Sequence, residues 1–169
     1  IVSEYMNQNK GCKVLWVAHE NILVDQGFEE FSFTWQRLQR KKINIIKEKN
    51  YETLEGDDIL FVSYQKLDRY IKDGKFMDVD LIVADECHKV IAETYKNGVL
   101  NSLKEGGKII GLSATPGRSL DNEAEDERLS KFFRYNKLTL DIDLINQLGV
   151  HDTTSDKIFD VTAQFSASD

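Results

Sequence analysis

Apolar residues recur along the chain at two spacings, and each spacing assigns a kind of element. Ile1, Val2, Tyr5 and Met6 stand at helical spacing, with Gly11 following as a stop. Lys13–Ala18 (KVLWVA) is a short apolar run of strand type. Val24, Phe28, Phe31, Trp35 and Leu38 then fall on one face of a long helix. Ile43–Ile46 and Ile59–Val62 read as strands, and Tyr64, Leu67 and Ile71 mark a short helix. Asp80–Ala84 (DLIVA) and Lys108–Leu112 (KIIGL) are near-continuous apolar runs, as strands buried on both faces of a parallel sheet are. Between them, Val99, Leu100 and Leu103 predict a helix face closed by Gly106 and Gly107. Leu129, Phe132 and Phe133 predict another helix. Thr139 caps a further one, with Asp141 and Asp143 favourable to its dipole, Ile142, Ile145 and Leu148 on its apolar face, and Gly149 at its end. Phe159, Val161, Ala163 and Phe165 alternate with period two, the pattern of a half-buried strand. Strands alternating with helices predict an α/β fold whose mostly parallel sheet is flanked by helices.

Composition narrows this picture. The chain has 169 residues, 41% apolar and 30% charged, which suits one globular α/β domain rather than a disordered chain. Pro116 is the only proline, so no proline-rich linker divides it, and no internal repeat occurs. No apolar run approaches the ~20 residues that span a bilayer, so no membrane role is expected. Cys12 and Cys87 lack disulfide or zinc spacing, which fits a reducing, cytoplasmic setting. A net charge of -7 speaks against coating of nucleic acid by bulk attraction. The basic residues Arg37, Arg40, Lys41 and Lys42 read as a solvated helix end, and Asp121, Glu123, Glu125, Asp126 and Glu127 as a solvated acidic loop entering a helix.

Ligands of open parallel sheets sit outside the carboxyl ends of the strands. Two such ends carry chemistry here. One buried run passes directly into Asp85-Glu86-Cys87-His88, the other into Ser113-Ala114-Thr115-Pro116. A strand-end carboxylate can hold magnesium through water while the ion grips nucleotide phosphates, and a second carboxylate beside it can orient and deprotonate a water. Phosphoryl transfer needs that positioning more than covalent help. Asp85 suits the metal role and Glu86 the base role. The plain alternative is a strand stopping at a solvated polar turn.

Asp-Glu-x-His paired with Ser-Ala-Thr-Pro after the next buried strand resembles the signature of superfamily-two helicases of the DEAD/DEAH-box and type III restriction kind. The resemblance spans most of the chain. Val14–Gln26, with His19 and Gln26, is similar to the segment lining the nucleic-acid track. Ile59–Leu67, with Ser63 and Tyr64, is similar to a later strand-binding segment, and Arg118 follows Ser-Ala-Thr-Pro as in restriction-type relatives. Leu138–Val150 is similar to the helix closing this lobe. The resemblance implies a RecA-like lobe over residues 1–150, with 151–169 a terminal strand or a linker toward a missing second lobe. It implies Mg2+ and ATP serving Asp85 and Glu86 in an intact parent, with neither bound tightly here. His88 would sense the nucleotide across the interlobe cleft, and Ser113, Ala114 and Thr115 would couple hydrolysis to movement. His19, Gln26, Ser63 and Tyr64 would face nucleic acid, DNA in preference to RNA.

The pattern departs from the family in two places. The phosphate-binding loop G-x-x-x-x-G-K-[S/T] is absent from the 169 residues: Gly106 and Gly111 have its internal spacing, but Leu112 and Ser113 follow. The expectation is a lobe truncated just downstream of its loop and first strand, with an exposed strand edge able to pair with another copy. Glu20 also stands after His19, where relatives carry a basic residue, so weak nucleic-acid affinity is expected. Rival readings are a helicase-like lobe that only binds, a restriction-enzyme motor subunit, and a serine hydrolase built on Gly111-Leu112-Ser113. The hydrolase is disfavoured by Thr115 where the elbow needs glycine and by Pro116. A metal site from Cys12, Cys87 and His88 lacks ligand spacing.

Overall fold

The computed structural model describes residues 1–38, 42–47, 58–75, 77–113, 123–136 and 161–166. The strands are β1 (Val14–Ala18), β2 (Asn44–Lys47), β3 (Asp58–Ser63), β4 (Val79–Ala84), β5 (Leu103–Ser113) and β6 (Val161–Ser166). The helices are α1 (Val2–Gln8), α2 (Asn21–Arg37), α3 (Tyr64–Lys72), α4 (Glu93–Ser102) and α5 (Glu123–Phe132). The strands form one sheet in the order β2-β3-β1-β4-β5-β6. β1 to β5 run parallel and β6 runs antiparallel to β5. The α/β architecture is that of a RecA-like lobe.

Alternation along each strand divides the core in two, because successive side chains leave a strand on opposite faces. Val14, Ala18, Ile59, Phe61, Leu81, Val83 and Ile110 pack on one face with Met6 of α1 and Val24, Phe31 and Trp35 of α2. Leu15, Val17, Leu60, Val62, Ile82, Ala84 and Ile109 pack on the other with Tyr64 and Leu67 of α3, Val99 of α4 and Phe133 after α5. This two-sided burial is why the runs at β1, β3 and β4 are continuously apolar.

Several sequence expectations are corrected. Leu103 opens β5 rather than closing a helix face, and Leu100 is exposed. The reason is local: α4 stops where Leu103 takes extended backbone at φ -88 and ψ 129, and Gly106 at φ +74 then turns the chain. The β4–β5 ladder consequently jumps from Val79↔Leu103 to Leu81↔Lys108, a bulge that absorbs the intervening residues. Leu38 is likewise exposed, as the residue after the last turn of α2. Glu125, Asp126 and Glu127 lie within α5 rather than in a loop before it. Arg37 closes α2 with its guanidinium 5.3 Å from the Phe33 ring. The helix expected after Thr139 lies outside the described residues, as do Arg40, Lys41 and Asp121. The strand edge beside β5 is not open, because β6 of the same chain pairs along it from Lys108↔Ser166 to Ser113↔Val161.

Candidate functional site

Register alone brings the predicted residues to one rim of the sheet. Val17 pairs with Ala84 and Ala18 with Ser63, so His19, Ser63 and Asp85 emerge at nearly the same height from three adjacent strands. Ala84 also pairs with Gly111, which places Glu86 and Ser113 two residues beyond a common rung. Neighbouring strands lie about 4.8 Å apart, so these groups share one edge of the molecule. Gln26 is exposed in the second turn of α2. Ala114 and Thr115 lie outside the described residues.

Asp85 continues the line of β4. Its amide donates to the Val17 carbonyl at 2.8 Å, and the Tyr64 hydroxyl donates to its carbonyl at 3.3 Å. Burial first, then the nearby Cys87, Asp85 and Glu86 groups, push the Tyr64 phenol well above its ordinary value, which keeps it a donor. Glu86 breaks the line with φ 50 and ψ 53, a left-handed backbone that costs a non-glycine residue about 1–2 kcal/mol. Its amide donates to its neighbour's Asp85 Oδ1 at 2.9 Å, and its Oε2 lies 3.1 Å from His88 Nδ1. A single 3-10 turn, Cys87–Lys89, therefore folds His88 back over Glu86.

Beneath the turn, Cys87 is 5% exposed, and burial followed by the charges of Glu86 and Asp85 pushes its thiol from 9.0 up to about 12. The folded chain thus holds this proton more tightly than the unfolded chain does. The resulting stability is whole below pH 9 and is lost as pH rises toward 12. In a Cys12→Ala background, Cys87 is expected to resist a thiol reagent at pH 8 and to react once denaturant unfolds the chain; prompt native-state labelling contradicts this.

The turn rests on Gly111. A Cβ there would lie 2.5 Å from Phe133 Cζ and 2.8 Å from Cys87 Cβ, so β5 accepts no side chain at that point. Gly111→Ala is expected to destabilise the protein by about 1–3 kcal/mol, read as a lower denaturant midpoint. An unchanged midpoint would show that the ring and the turn move aside freely.

Among the described residues, no three His, Cys, Asp or Glu side chains converge as a metal cage. Magnesium does not need one, because it keeps several waters and is bound through one or two carboxylates plus substrate phosphates. A half-buried Asp85 beside Glu86 on the rim is a donor set of that kind. A cavity of about 380 Å³ lies at the opposite, amino end of the strands, bounded by Tyr5, Lys10, Lys13, Asp80 and Lys104. It contains none of the predicted residues.

Two features of this region were not read from the sequence, Tyr95 of α4 and the close packing against Gly111. Tyr95 stacks on Tyr64 with ring centroids 5.0 Å apart and meets His19 edge-on at 6.2 Å. Only strand order reveals the first, and only packing the second.

Comparison with known proteins bears on the fold and on the family. A solved structure described as a SAM-dependent methyltransferase from Streptococcus mutans superposes with a TM-score of 0.51 at 12% identity, covering 98% of this chain and 47% of that one. The chain thus spans about half the length of that protein, and at this identity the likeness concerns the fold alone. No curated protein matches the sequence. The model of the family described as type III restriction enzyme, res subunit, matches residues 1–118, which include β1 to β5 and both strand-end motifs. The chain belongs to that res-subunit family of helicase-like, ATP-dependent nucleic-acid enzymes.

Proposed function

We propose that this chain is the magnesium and water half of an ATP-driven nucleic-acid motor lobe. The observation that carries the reading is the convergence of Asp85, Glu86 and Ser113 at the carboxyl ends of the neighbouring strands β4 and β5. Magnesium, when bound, neutralises phosphate charge as the phosphoryl group transfers. Asp85 would hold it, and Glu86 would orient the attacking water and take its proton. His88, against Glu86, senses the nucleotide, and Ser113, Ala114 and Thr115 couple hydrolysis to movement. His19 on the same rim, with Gln26 of α2, faces a nucleic-acid strand, DNA in preference to RNA, while Ser63 and Tyr64, given that role by the resemblance, lie buried beneath the rim.

In this proposal residues 1–150 belong to the lobe, and 151–169 are a terminal strand, β6 pairing along β5, or a linker toward a second lobe. The phosphate loop that would cradle ATP is absent from residues 1–169, so these residues alone hydrolyse ATP negligibly and, at a net charge of -7, bind nucleic acid weakly. Pairing with another copy of the chain would use β2 or the outer side of β6, the edges of the described sheet. The deciding measurement is Mg-ATP hydrolysis by the full gene product, with and without single-stranded DNA. Turnover stimulated by the strand is expected; a full product that contains the loop yet shows no turnover would sink the reading.

A further inference from the structure

The nucleotide side and the nucleic-acid side of the rim meet at one ring. Tyr95 is the third residue of α4, the helix that follows the Asp85–Lys89 turn. Its ring lies on that of Tyr64 at an interplanar angle of 23° and receives the His19 ring at 61°. Tyr64 is 1% exposed, and its hydroxyl reaches the Asp85 carbonyl, while the amide of the same residue is held by Val17. Asp85 is thus gripped from β1 on one side and from α3 on the other. His19 Nδ1 is buried with no hydrogen-bond partner among the described residues, and the Tyr95 ring lies against that imidazole.

We propose that Tyr95 is a positioning residue whose ring seats the Tyr64 hydroxyl on the Asp85 carbonyl and orients His19, giving both sides of the site a single support. The proposal rests on the roles given above to Asp85 and His19. Movement of the Asp85–Lys89 turn passes along the chain into α4, and Tyr95 carries it to Tyr64 and His19. Plain hydrophobic filling would require volume at position 95 but no aromatic plane.

Nuclear magnetic resonance of the isotope-labelled chain separates the two. Tyr64→Phe removes the hydroxyl and defines how the Asp85 carbonyl-carbon resonance moves when its hydrogen bond is lost. Tyr95→Leu is expected to move that resonance in the same direction and to shift the His19 ring protons. Tyr95→Phe, which keeps the ring, is expected to leave both in place. Unchanged amide signals of Leu60 and Ile82 report an intact sheet, and Tyr95→Met serves if the leucine variant does not fold. An Asp85 carbonyl resonance that stays put when the ring is removed, or that moves equally in Tyr95→Phe, overturns the proposal. No nucleotide turnover enters the measurement, so a failed hydrolysis assay removes the motor reading and leaves this test decisive.

Discussion

Replacing Phe61 with alanine is expected to destabilise the fold by about 3–5 kcal/mol, the usual range for deleting a fully buried aromatic ring. Phe61 is 0% exposed in β3, between β1 and β2. Its ring stacks on Trp16 at 5.4 Å, takes Phe28 edge-on at 5.7 Å and leans on Phe31 at 5.8 Å. Three aromatic side chains from β1 and α2 therefore lose their common partner at once, and none can collapse into the gap without leaving its own seat. Small domains are stable by only about 5–15 kcal/mol, so the variant should lie near its unfolding midpoint without added denaturant. A loss below ~1 kcal/mol would mean that this cluster is not the keystone of its side of the sheet. Phe31→Ala, at a residue touching the same ring from α2, should cost less than Phe61→Ala and should not add to it fully, since the two share contacts.

Glu86→Gln is expected to reduce Mg-ATP hydrolysis by about 10²–10⁴-fold in a gene product that carries the phosphate loop, with nucleotide binding little changed. Glutamine keeps the shape of the side chain but cannot take a proton from water. In the proposed reading Glu86 takes that role from a left-handed backbone, which lifts it out of β4 while Asp85 stays in line. Strain of this kind persists only where the surroundings over-determine it, and it is a recurrent mark of functional turns. A variant within ten-fold of wild type would assign the base elsewhere, with Asp85→Asn as the comparison that separates metal holding from proton transfer.

The sequence and the fold agree where one physical constraint dominates. β1, β3 and β4 were legible because burial on both faces leaves no polar position in the run, and a polar pair emerging from such a run marks a strand end. Asp85 with Glu86, and Ser113, were expected at strand ends on that ground, and they stand there. Leu103 falls on the other side of the helix end because a leucine satisfies a helix face and a strand face equally, and the switch to extended backbone at that residue leaves no mark in the periodicity. The direction of β6 was illegible for a related reason, since period two is the same for parallel and antiparallel pairing. Strand order had no signature in the sequence. It decides that β4 lies between β1 and β5, and so that His19, Asp85 and Ser113 meet at all.

The placement of β1, β3 and β4 in the middle of the sheet has a consequence for how the protein breathes. Their peptide hydrogens are locked on both flanks, so exchange with deuterated solvent there requires the sheet to come apart, while β2 can fray from its outer side. The turn after β4, to which the proposal gives the chemistry, is therefore mounted on the part of the molecule that opens last. It can rearrange over a base that stays still.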